Sequence, residues 1–223
     1  MNWLQKISSF NIRFTDEIEQ DIQEITKTVL NYYLNKNKEP LVMWRPFDPY
    51  LKQQRAIKIA ILPTSKSKDQ IARYNSEKQE IYIFPYNLLL ETSEINDKNL
   101  FSAFYQGVVH EVAHALDPKF KLNSKHPIKD TNQYEYYSSP IEFDGYSKQI
   151  AEYLKKEIDK NEDTKPIVED WLRNDILKPD NPLIAYDQSL MYWAQSDQEN
   201  KTDYIRRFKL RIYNEIFKKD YDV

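Results

Sequence analysis

Two glycines serve a chain of 223 residues, and this scarcity constrains the fold more than any other single feature. Glycine tolerates left-handed backbone and lets a phosphate approach the main chain closely. Gly107 and Gly145 lie far apart, so neither the Gly-rich turn of a dinucleotide-binding βαβ unit nor a P-loop is available, because each needs at least two glycines at close spacing. Nucleotide folds of those types are excluded. The absence of cysteine removes disulfide scaffolds, thiolate zinc sites, iron–sulfur clusters and thiol catalysis together. Any metal must then be held by carboxylates and by some of the three histidines.

The remaining composition is that of a folded chain with a real core. Residues are 40% hydrophobic, 14% aromatic and 30% charged, which is neither collagenous nor disordered. A chain of this length buries about 70% of its unfolded surface on folding. The net charge of −3 supplies no global attraction for nucleic acid, whose backbone is bound by basic faces. No apolar run approaches the roughly 18 residues of a membrane span, and the opening MNWLQKISSF lacks the apolar core of a signal peptide. Neither nucleic acid nor membrane is an expected partner. The expected setting is the cytoplasm, although a chain carried in a virion or released by lysis would look the same. Nothing in the pattern sets an oligomeric state.

No repeat or low-complexity tract interrupts the chain, and its 11 prolines are scattered, so one compact unit is expected. Within it, residues 1–50 form a helical N-terminal segment and residues 51–223 the main domain. Ile18, Ile22, Ile25, Val29, Leu30 and Tyr33 recur at helical spacing behind Thr15 and an acidic first turn, which predicts an amphipathic helix over 15–35. Residues 40–49 break that pattern. Strands are predicted at 56–62 (AIKIAIL), 70–75 and 80–84 (EIYIF), with polar turn chemistry at 75–78 (NSEK), as a small antiparallel or mixed sheet. From about Asp97 the period changes to 3.6: Phe101, Phe104, Tyr105, Val108, Val112, Ala115 and Leu116 make one stripe, ended by Asp117-Pro118. Residues 118–139 read as loop. Helical patterns return at 141–158, 166–177, 184–195 and 202–218, so the second half is mostly helical.

The chemistry lies in His110-Glu111-Val112-Ala113-His114, an HExxH pattern on that helix. At 3.6 residues per turn the two imidazoles are about 40° apart on one side and can close on a single metal, with Glu111 on the adjoining flank. Gly107 and Ala103 share that side, and their small side chains are expected to leave space above the turn while the apolar stripe faces away. Glu111 is then close to the metal's water without being a ligand, which is what a general base in metal-assisted hydrolysis requires.

A catalytic zinc needs a third protein ligand. The remaining histidine, His126, does not satisfy HExxHxxGxxH, whose last histidine would fall at Phe120. A carboxylate from a later helix remains, and Tyr136-Tyr137-Ser138-Ser139-Pro140-Ile141-Glu142-Phe143-Asp144-Gly145-Tyr146 offers two. Over about residues 56–155 the chain resembles the gluzincins, zinc metallopeptidases in which HExxH is followed by a glutamate ligand on a later helix. It is similar to small bacterial and phage-associated peptidases of that type and to the catalytic domain of anthrax-lethal-factor-like toxins. The resemblance implies Zn²⁺ held by His110, His114 and Glu142, with Glu111 as base and Tyr136 or Tyr137 donating a hydrogen bond to the oxyanion. It also implies a protein or peptide substrate. Asp144 is the alternative carboxylate; two helical residues away, it points roughly 200° from Glu142, so only one of them faces the metal. Asp117 and His126 are further alternatives. Asp117, just after His114, could also orient a ligand imidazole. The thermolysin-type second acid is missing, since its position holds Tyr146.

The expected architecture is therefore α+β and zincin-like: a small sheet on the HExxH helix, then a glutamate-bearing helix and helical closing elements. The resemblance makes residues 80–84 the candidate rim strand, to which a peptide would add by main-chain pairing. Gly145 is expected where that glutamate helix approaches the HExxH helix. The basic amphipathic segment YIRRFKLRIYNEIFKK (204–219) suits an acidic partner, but such helices more often pack with a solvated charged face. A catalytically silent zinc-binding regulator or virion-associated protein is the alternative to an enzyme.

Overall fold

The computed structural model describes residues 14–45, 56–64, 70–88, 96–117, 133–174 and 188–217. The fold is α+β, with a four-stranded sheet and seven α-helices among the described residues. The chain divides into two compact units, Met1–Ser124 and Lys125–Val223.

The first unit opens with α1 (Asp16–Leu34), which is capped as its sequence predicts. The Thr15 side chain accepts from the Ile18 amide, and Asp16, Glu17 and Glu19 sit in the positive first turn. Its buried stripe is Ile18, Ile22, Ile25 and Val29. Strand β1 (Leu41–Arg45) follows, where the sequence pattern predicts none. Leu41, Val42 and Trp44 are exposed, so the strand lacks the half-buried alternation by which strands are recognised. Its pairing with β2 (Ile57–Ile61) defines it. That pairing also crosses the expected division at residue 50. Arg45 ties β1 to α1 through Asp21 and Glu24.

Strands β3 (Ala72–Asn75) and β4 (Glu80–Ile83) form a hairpin whose turn places Gln79 at φ 55. The sheet order is β1-β2-β4-β3. β4 enters between β2 and β3, parallel to β2 and antiparallel to β3, so the sheet is mixed. The expected rim strand at 80–84 is therefore interior, with both edges paired, and β3 occupies the sheet edge. Ile57, Ile59, Ile61, Ile81 and Ile83 are buried on one face. Helix α2 (Asp97–Leu116), capped by Asn96, packs on β3, β4 and α1.

The second unit is helical: α3 (Gln133–Ser138), α4 (Pro140–Lys160), α5 (Thr164–Arg173), α6 (Gln188–Gln195) and α7 (Lys201–Phe217). The short helix α3 lies in a stretch predicted to be loop. The rest of that stretch before residue 133, His126 included, lies outside the described residues, as do 175–177, 184–187 and 218–219. Ala151, Leu154, Val168, Leu190, Trp193, Tyr204, Phe208 and Ile212 form the core, with Trp193 stacked on Tyr204 at 4.2 Å between centroids. Beside it Lys148, itself buried, bonds Glu152 at 3.0 Å and Glu215 at 3.1 Å. Burial alone would raise the Glu152 carboxyl, but the ammonium groups of Lys148 and Lys155 hold it below its ordinary value.

Candidate metal centre

His110, Glu111 and His114 occupy the last two turns of α2. Spacing of one turn brings the two histidine Nε2 atoms to 2.9 Å, with ring planes at 86°. Two imidazole nitrogens this close together could both be ligands of one ion. The expected open side of the helix is not found. His110 is 6%, Glu111 8% and His114 4% exposed, and the helix is buried all round from Val108 to Leu116.

Gly107, one turn before Glu111, faces strand β3. A Cβ there would meet the Ala72 Cβ of β3 at 3.7 Å, so its small size serves a close helix–strand approach. Glu111 extends toward the same strand, and its Oε2 accepts the Tyr74 main-chain N–H at 2.5 Å. That N–H is an edge donor. Phe84 N–H donates to Ile71 O, so in this antiparallel register residues 71, 73 and 75 face β4 while Ala72 and Tyr74 turn their main-chain groups outward. The Tyr74 phenol is buried and pushed up to about 12 by desolvation.

Glu142 stands in the first turn of α4 behind Ser139 and Pro140, and the Ser139 hydroxyl accepts its amide at 3.2 Å. This S-x-x-E spacing is also that of a capping box, in which the glutamate would return to the serine N–H. Here the Ser139 N–H donates to Tyr136 O at 3.1 Å. Glu142 is 1% exposed. His110, His114 and Glu142 are each buried and each offer a ligand atom, a group that could hold a metal ion. Two imidazoles and one carboxylate form a donor set that suits zinc, and burial of such groups is costly unless something compensates it. The residues present fit a metal.

The other expected residues separate. Asp144 belongs to the charged side of α4, 3.9 Å from Arg211, consistent with its angular offset from Glu142. Asp117 is buried at the C-cap of α2 and is not in the triad. Tyr137 packs in the aromatic core, with ring centroids 4.9 Å from Tyr192 and 5.7 Å from Tyr146. Tyr136 sits edge-on to it and is only partly buried. Gly145 is buried on α4. The cations of α7 are met within their own unit: Arg206 and Arg207 by Asp203, and Lys209 by the carbonyls of Arg173 and Asn174 at the end of α5. Two features are missing from the expectations: the Tyr74 donor, a main-chain group that leaves no mark in residue identity, and the Ser139 cap, which the S-x-x-E spacing does encode.

No described helix is long and apolar enough to cross a membrane. No known protein family, no curated protein and no solved structure matches the chain.

Proposed function

We propose that the chain is a zinc-dependent peptidase of zincin type. The observation that supports this reading is the buried His110–His114–Glu142 group, whose two histidines lie on an HExxH helix and whose intervening glutamate, Glu111, is outside the group and turned to the sheet edge. Bound zinc would supply Lewis acidity and a water acidic enough to lose a proton near neutral pH. His110, His114 and Glu142 would hold the ion. Glu111 takes the proton of the attacking water and passes it to the leaving amine. Tyr136, the less buried of the two candidate tyrosines, donates to the oxyanion. The substrate is an extended peptide, since a sheet edge beside the base admits main-chain pairing.

Glu111→Gln, purified with metal, is expected to bind as much zinc as wild type and to cleave denatured casein slower by about 10²–10⁴-fold. Cleavage at the wild-type rate would sink the mechanism. His110→Ala, His114→Ala and Glu142→Ala are each expected to lose stoichiometric zinc by elemental analysis, while Asp144→Ala keeps it. Burial of His110, Glu111 and His114 to 8% exposure or less favours a second reading, a metal-binding protein without hydrolysis. Full zinc content with no cleavage of any protein tested selects it.

A further inference from the structure

We propose that the main-chain N–H of Tyr74 is the positioning group of Glu111, which makes the edge strand β3 part of the catalytic apparatus. The inference rests on the peptidase reading and deepens it. Among the described residues, this amide is the one hydrogen-bond partner of the Glu111 carboxylate, and it binds Oε2 alone. The other oxygen is left to exchange a proton. A carboxylate with one oxygen pinned by a charge-assisted bond keeps its orientation, and orientation is what a base needs before the reaction begins.

The contact is built into the register of α2 on β3. Gly107 faces Ala72 and Glu111 reaches Tyr74, so a helical step of four residues runs alongside a strand step of two. Those steps are about 6 Å on the helix and about 6.6 Å on the strand, close enough for both contacts to form at once. The helix runs near the strand at Gly107, and that nearness lets a glutamate side chain span the gap. Because Tyr74 faces away from β4, its N–H is not needed by the sheet. Proline at that position removes the donor and costs no ladder bond, as is usual for an edge strand.

Two measurements test the proposal. In metal-free, isotope-labelled full-length chain, the Tyr74 amide is expected to exchange with solvent at least ~100-fold more slowly in wild type than in Glu111→Ala, with Glu111→Gln keeping most of the protection because its amide oxygen still accepts. Equal exchange in wild type and Glu111→Ala overturns the proposal. In the metal-loaded chain, Tyr74→Pro is expected to lower kcat by at least ~10-fold with KM within about twofold and zinc content unchanged. Wild-type kcat in that variant also overturns it. If Tyr74→Pro fails to fold, the exchange comparison decides. A wild type that cleaves no protein overturns the peptidase reading and the catalytic role with it, whereas an active wild type with an unprotected Tyr74 amide overturns only the positioning role.

Discussion

At position 107 an added methyl would meet the Ala72 Cβ at 3.7 Å, ordinary van der Waals contact, and the backbone there is not left-handed. Gly107→Ala is therefore expected to stabilise the chain by about 0.5–1 kcal/mol, because alanine loses less entropy in a helix interior. A thermal melt checks this, and zinc content should not change. A loss of zinc would instead return the glycine to the clearance role its sequence position suggested. The residue scale also separates the two carboxylates of α4. Glu142 is enclosed and its amide is capped by the Ser139 hydroxyl, while Asp144 lies beside Arg211. Their identities are nearly interchangeable in sequence, and the helical offset of two positions decides which is a ligand candidate.

Among the elements, α4 carries two burdens: Glu142 in its first turn and the Lys148–Glu152 pair further along. Lys148 is 5% and Glu152 2% exposed in the side chain, so Lys148→Met leaves Glu152 and Glu215 short of their shared cation. The expected cost is about 3–5 kcal/mol, read as a lower urea midpoint. The Glu152 carboxyl titrates below its ordinary value when folded. Its contribution is thus fully present above the unfolded pKa of about 4.3 and is lost as pH falls through the lower folded value. Wild type is expected to exceed Glu152→Gln in stability at pH 7, and the gap should close on acidification; a gap constant from pH 7 to 3 would contradict the linkage. Helix α7 shows how an element's charge misleads when read alone. Its run of arginine and lysine resembles a docking face, yet Asp203, Glu215 and the carbonyl end of α5 meet much of it.

For the molecule as a whole, a metal that binds only the folded chain stabilises it by mass action. Zinc at a hundred times its dissociation constant adds about 2.7 kcal/mol, or about 5–10 °C in melting temperature at this size. Chelation is expected to remove that increment from wild type and to leave Glu142→Ala unmoved; an equal response in both would show that the triad is not the site.

The amphipathic stripes of α1, α2, α4 and α7, the strands at β2, β3 and β4, and the pair His110/His114 are properties of local periodicity, legible before any folding. Burial period and helical spacing act over a few residues, so they are written in consecutive side chains. Three features come from long-range contacts. It made a strand of the exposed segment Leu41–Arg45, placed β4 between β2 and β3, and brought the Tyr74 N–H to Glu111. Each depends on which distant backbone supplies a hydrogen-bond partner. Main-chain donors are the same at every residue except proline, so side-chain identity leaves no trace of that choice until the chain is folded.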